Sequence, residues 1–228
     1  MKRTIIILSS IIVFGCSSNR DNMTVSGNVD GLMKGTLYLK TQRDSILVNL
    51  DSTDLRGDGN FKLSTDIIES DIFYLYLDKQ DGDSLNDIIT FFGNKGDIQI
   101  NTRLSTFDSS FEISGSENSD LLNEYNSIIR KYNMQNLDLL EIFYNAQIEN
   151  NQTRIDSVNL ELENLIRKKY LYTLNFSITN SENEISPYIA ASQIPDANLD
   201  LLRKLYDTLP ERIKESKYGK ILKEITID

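Results

Sequence analysis

Hydrophobic and polar residues alternate in short runs through the first half of the chain, and then the period changes. "TVSGNVDG" leads into "GTLYLK", where Leu37 and Leu39 share a face. "SILVNLD" follows, then a "GDGN" turn and "FKLST", which pairs Phe61 with Leu63. "IFYLYLD" sets Phe73, Leu75 and Leu77 on one face and Ile72, Tyr74 and Tyr76 on the other. "IITFFG", the turn "GNKGD", "IQINT" and "FEISG" complete the series. Short strands punctuated by Gly, Asp and Asn predict an antiparallel β-sandwich or open barrel over residues 24–115.

Past Ser116 glycine nearly vanishes, with Gly219 alone remaining, and the spacing becomes helical. "SDLLNEYNSIIRKYN" lines up Leu121, Leu122, Tyr125, Ile128, Ile129 and Tyr132. "NLDLLEIFYNAQI" does the same with Leu137, Leu140, Tyr144 and Ile148. After the polar "ENNQT", Thr153 is the expected cap of a long helix whose apolar face is Ile155, Val158, Leu162, Leu165, Ile166 and Tyr170. Ser186-Pro187 reads as a further helix start, with serine as cap and proline in the first turn. "LDLLRKLYDTL" and "PERIKESKYGKILKEI" close the chain as short amphipathic helices. The expected fold class is therefore α+β, with a C-terminal α-helical bundle over residues 116–228.

The residues before Thr24 follow neither period. Met1-Lys2-Arg3 is basic, and Thr4 to Phe14 is apolar apart from Thr4, Ser9 and Ser10. That is the pattern of a secretory signal over residues 1–15. It is too short for a spanning helix, which needs about 20 apolar residues. The small residue Gly15 precedes Cys16, the single cysteine of the chain. "VFGC" resembles the lipobox of bacterial lipoproteins, through Val13, Gly15 and Cys16, with Phe14 bulkier than is usual there. The resemblance implies cleavage between Gly15 and Cys16, a diacylglyceryl thioether on the Cys16 sulfur and acylation of the new amino terminus. The alternatives are a conventional secretory signal with a cysteine near its cut site, or a small cysteine buried in a helix. Two or more acyl chains anchor a protein stably. Residues 16–23, with "SSNRDNM" after the cysteine, read as a tether.

Composition narrows the chemistry. With Lys2 and Arg3 removed from the 24 basic residues, 22 remain against 34 acidic ones, a formal charge of −12. That balance argues against nucleic acid or an anionic membrane as a binding partner, because phosphate binding needs clustered Lys and Arg. Beyond Cys16 there is no cysteine, so neither an internal disulfide nor a CxxC centre can form. The absence of histidine removes Ser-His-Asp triads, HExxH zinc sites and imidazole acid–base catalysis. Carboxylate, lysine, tyrosine and hydroxyl chemistry remain.

"VSGNVDGLMKGTLYLKTQRDSILVNLDST", "GDGNFKLS", "FFGNKGDIQINT" and "FEISGSENSDLLNEY" occur in order. Together they resemble the family called domain of unknown function 4369, found in lipoproteins and exported proteins of Bacteroidetes bacteria. "SPYIAASQI" and "LDLLRKLYDTLPERIKESKYGKIL" resemble the helical region that follows this domain in many of those proteins. There the helices usually lead into a thioredoxin-like domain of the thiol–disulfide interchange type. No CxxC lies in this chain, so the resemblance carries over architecture, exported location and a non-catalytic role, but no redox activity and no active-site positions.

Four groups of residues are candidates for a site. Asp78, Asp81, Asp83 and Asp87 cluster in "DKQDGDSLND", but their spacing fails the EF-hand order, and a solvated turn explains them. Tyr74, Tyr76, Phe91 and Phe92 offer an aromatic platform for sugar or peptide, against ordinary packing in or across strands. Glu141, Asp156, Glu161 and Glu163 offer a carboxylate pair for glycoside chemistry, against the solvated faces of amphipathic helices. The stripe Leu121, Tyr125, Ile128 and Tyr132 is read as core rather than as a partner groove.

The expected function is a lipid-anchored, non-catalytic envelope protein acting as a binding or scaffold module, with no cofactor and no metal. Its expected partners are a membrane, through the Cys16 lipid, and an envelope protein. One alternative is an accessory subunit whose thioredoxin-like partner is a separate chain. Another is a surface lipoprotein that binds glycan or peptide. In Bacteroidetes lipoproteins surface export is associated with acidic residues just after the cysteine. Here Arg20 and Asp21 cancel, which favours the periplasmic face of the outer membrane.

Overall fold

A computed structural model describes residues 22–44, 46–79 and 87–227. Cys16, Gly15, most of the tether, and Asp81 and Asp83 lie outside the described residues. Among the described residues eight strands are followed by six α-helices. The strands are β1 (Met23–Asp30), β2 (Lys34–Arg43), β3 (Ile46–Arg56), β4 (Asn60–Thr65), β5 (Asp71–Asp78), β6 (Asp87–Gly93), β7 (Gly96–Arg103) and β8 (Glu112–Ser114). They form two four-stranded sheets, ordered β4-β1-β7-β8 and β3-β2-β5-β6. The sheets are separate and do not close on each other. Nor is the pairing wholly antiparallel. β1 runs parallel to β7, from Met23 opposite Gly96 to Asp30 opposite Arg103. Strand direction is invisible to alternation of polarity, which reports only which face each residue takes.

The alternation itself has a clear physical result. Val25, Leu63 and Ile98 of the first sheet share one apolar core with Leu39, Leu75 and Ile89 of the second, all essentially inaccessible to solvent. On the opposite face of β5 and β6, Ile72 and Phe92 are buried under helices instead. Both faces of this sheet end are therefore covered, which explains the near-continuous apolar run in "IFYLYL".

The helices are α1 (Glu117–Ile148), α2 (Gln152–Thr179), α3 (Ile185–Gln193), α4 (Leu199–Thr208), α5 (Glu211–Lys214) and α6 (Lys217–Ile227). α1 is continuous through Met134-Gln135-Asn136, since no Gly or Pro interrupts it. At a rise of about 1.5 Å per residue it is about 48 Å long. Ser116 caps it, accepting from the Ser119 amide. The two serines also fix α1 to the end of β6. Phe92 N–H donates to Ser119 Oγ at 2.9 Å, and Ser116 Oγ donates to the Phe92 carbonyl at 2.6 Å.

Three sequence expectations for the helices fail. Asn151, not Thr153, caps α2, accepting from the Arg154 amide at 3.1 Å. Ser186 lies inside α3, where its hydroxyl donates to the Ser177 carbonyl at 2.8 Å. The free amide at the start of α3, that of Ile185, is satisfied by Asn118 Oδ1 of α1 at 3.0 Å, a tertiary cap that no local pattern encodes. Finally, Leu137, Tyr144, Ile148 and Ile166 are 65, 59, 78 and 56% exposed. α1 packs chiefly against α2, and in this half Ala146 is its buried residue among the described ones. Among the described residues no helix is long and apolar enough to cross a membrane.

Candidate functional site

The place where the second sheet meets the helices gathers the most chemistry. β5 begins at Asp71 and turns Ile72 and Tyr74 toward the helices. Across from it, α6 begins with Lys217 and Tyr218, and α3 supplies Tyr188. Asp71 is the hub. One carboxylate oxygen lies 2.6 Å from Lys217 Nζ, and the other accepts from the Tyr218 hydroxyl at 2.5 Å. Glu69, just before the strand, accepts from the Lys217 amide at 2.7 Å. The start of α6 is thus pinned to the start of β5 across 146 residues of sequence.

Gly219 makes this placement possible. A Cβ there would come within 2.0 Å of the Ile213 carbonyl oxygen, so only glycine lets α6 approach α5 this closely. The rings of Tyr188 and Tyr218 then meet edge-on at 4.8 Å, and both contact buried Phe92, at 5.8 and 5.9 Å.

A cavity of about 380 Å³ opens over this group, lined by Gln42, Asp44, Tyr74, Tyr188, Ser192 and Ile221 among others. A second, of about 450 Å³, shares Gln42, Asp44, Asp71 and Lys217 with it and extends to Asp66, Ile67 and Ile68. Together they form one cleft along the sheet–helix junction. Three of its titratable groups, Asp71, Lys217 and Tyr218, are committed to one another. Burial, and then the Asp71 carboxylate, hold the Tyr218 phenol far above its ordinary pKa. Tyr188 is raised by burial first and by neighbouring Tyr74 second, and Tyr74 by burial and then Asp71. These phenols stay protonated at neutral pH, as hydrogen-bonding and stacking groups.

The residues singled out in the sequence are dispersed. Asp87 pairs with Lys79 at 2.5 Å. Among the described residues no three Asp, Glu, His or Cys groups are placed to hold a metal ion. The aromatic set divides among three environments. Phe91 is inaccessible in the inter-sheet core, stacked on Phe73, and Phe92 is inaccessible beneath the helices. Tyr76 is half-buried on the outer face, edge-on to Tyr38, with Lys40 Nζ 3.6 Å from its ring centre. Burial beside these rings lowers the Lys40 pKa.

Glu141, Asp156, Glu161 and Glu163 are all exposed on α1 and α2. Asp156 accepts from Gln152, one turn away on its own helix. Tyr125 is buried at the core, its hydroxyl bonded to Thr173 at 2.9 Å and its pKa pushed by burial to about 12. Leu121 and Tyr132 pack half-buried against the same cluster, and Ile128 is half-buried beside them. Sequence reading missed Asp71, Tyr188, Lys217 and Tyr218. No motif links them, because tertiary packing alone makes them neighbours.

Residues 23–122 match the family model described as Domain of unknown function (DUF4369). The match takes in all eight strands and the first residues of α1. It includes Asp71, Tyr74 and Phe92 but not Tyr188, Lys217 or Tyr218, so one wall of the cleft lies inside the matched region and the other outside it. No curated protein matches the chain.

Proposed function

We propose that this chain is a lipid-anchored, non-catalytic protein of the cell envelope. In this reading Cys16 carries the lipid after cleavage at Gly15, and the sheet–helix junction serves as a binding surface. The two sheets are read as the layers of a β-sandwich, supported by their shared core, and the helices as a bundle laid against its outer face. The observation that carries the binding role is the cleft. Asp71 is engaged by Lys217 and Tyr218 and the tyrosines remain neutral, so this part of the surface offers ring faces and hydrogen bonds. Location on the periplasmic face of the outer membrane rests on the balanced charge of "SSNRDN".

Growth of the host with an alkyne-tagged fatty acid tests the anchor. The wild-type chain should take up label and sediment with membranes. Cys16→Ser should do neither and should retain its signal. An unlabelled, soluble wild-type protein would refute the reading. Crosslinking from a photoreactive residue placed at Tyr188 tests the cleft. A partner or ligand captured there, and not from the same residue placed at Leu160 on α2, supports it; equal capture at both refutes it.

A second reading, binding of glycan or peptide, is favoured by the same three tyrosines, whose rings suit stacking. The accessory redox subunit rests on the family resemblance alone.

A further inference from the structure

The chain leaves the sheets at a defined point. Asn22 is clamped beside the end of β4. Its side chain donates to the Ile67 carbonyl at 2.8 Å and accepts from the Ile67 amide at 2.8 Å, while its own amide donates to Asp66 at 3.0 Å. Its carbonyl accepts from Gly96 at the start of β7. The next residue past this clamp, Ile68, is 93% exposed, the most exposed large hydrophobic side chain described. The β2–β3 turn lies at the same end of the sheets, since Asp44 and Ile68 line one cavity. At that turn Ile46 is 69% and Leu47 47% exposed. Ile46, Leu47 and Ile68 are thus three exposed branched apolar side chains at the end of the sheets where the tether enters, and apolar exposure gathered at one end marks an interaction surface.

The tether says what covers it. Six residue steps separate Cys16 from Asn22. A fully extended chain spans at most about 3.6 Å per residue, so Asn22 stays within about 22 Å of an acylated Cys16. Charge at this end is nearly balanced, with Arg43 and Lys95 against Asp44, Asp66 and Glu69, and Lys217 paired with Asp71. Such an end is not strongly repelled by a lipid headgroup layer, nor does it depend on anionic lipid.

We propose that Ile46, Leu47 and Ile68 insert at the headgroup–acyl boundary of the bilayer that holds the Cys16 lipid. The Asn22 end of the sheets then faces the membrane. This inference rests on the anchor reading above. Insertion turns the opposite end, marked by Met33 at 67% exposure, away from the lipid. Ile46 and Met33 are separated by the length of β2, about 30 Å at the rise of a strand.

The test uses the processed, acylated full chain in phosphatidylethanolamine–phosphatidylcholine vesicles. Ile46→Cys, Ile68→Cys and Met33→Cys are each labelled with an environment-sensitive thiol dye, the Cys16 sulfur being blocked as its thioether. A lipid-borne quencher on the acyl chain should cause a several-fold loss of fluorescence, with a blue shift, at positions 46 and 68 and little change at 33. Equal quenching at all three positions in an acylated, vesicle-bound protein overturns the docking while leaving the anchor standing. A chain whose mass shows no acyl addition overturns both.

Discussion

Removal of the Asp71 carboxylate is the sharpest probe of the sheet–helix junction. In Asp71→Ala, Lys217 loses an ion pair at 2.6 Å and the Tyr218 hydroxyl loses its acceptor at 2.5 Å. The Asp71 and Lys217 side chains are 20% and 35% exposed, so solvent screens the ion pair and it contributes no more than about 1 kcal/mol. A half-buried phenol stripped of its acceptor costs about 1–3 kcal/mol. Together these give a loss of about 1–4 kcal/mol. Asp71→Asn keeps an oxygen for Tyr218 and should lose only about 1 kcal/mol. Tyr218→Phe removes the donor together with its need for a partner, and should also lose about 1 kcal/mol. In the double variant the orphaned hydroxyl is gone, so a double-mutant cycle should return a coupling of about 1–2 kcal/mol.

Urea melts followed by far-ultraviolet circular dichroism measure these values. Tyrosinate absorbance during an alkaline titration gives an independent readout. The carboxylate is the second cause, after burial, of the raised Tyr218 pKa, so Asp71→Ala should bring one tyrosine to a lower titration point. A stability change for Asp71→Ala within about 0.5 kcal/mol of wild type, the range of an ordinary surface substitution, together with zero coupling, would refute the account.

Three further outcomes are expected. Ser119→Ala leaves the Phe92 amide, buried at the end of β6, without its acceptor and should lower stability by about 1–3 kcal/mol in the same melts, whereas Ser127→Ala, on an exposed turn of α1, should change little. Gly219→Ala places a methyl 2.0 Å from the Ile213 carbonyl, so it should destabilise by about 1–3 kcal/mol and loosen the Lys217–Asp71 contact, seen as faster amide exchange at the start of α6. Raising pH should unfold the protein through its tyrosines. Tyr125, Tyr188 and Tyr218 have folded pKa values above the ordinary 10, so the stability they contribute is complete below pH 10 and is lost as pH rises through the folded values, about 12 for Tyr125. Urea melts between pH 9 and pH 12 check this, and stability that stays level or rises across that window would contradict it.

Local physics was legible in the sequence, because it is written in neighbouring residues. The alternation of Phe73, Leu75 and Leu77 identified the strand and its inner face, and these side chains do enter the inter-sheet core. The change of period after Ser116 located the passage from strand to helix, and the spacing of Leu122, Tyr125 and Ile129 marked the buried face of α1. Tertiary structure decided the rest. Parallel pairing of β1 with β7 depends on which strands become neighbours, which a one-dimensional pattern does not record. The cap of α3 comes from Asn118, more than sixty residues away. The apolar positions Leu137, Tyr144 and Ile148 of the distal half of α1 are exposed because the packing of α1 against α2 leaves them outside the buried face. The cleft depends on Asp71 meeting Lys217 and Tyr218, an encounter that exists only once the helices have closed over the sheet. Periodicity reports how a residue is oriented on its own element, whereas a site is made of distances between elements, and those are set by packing.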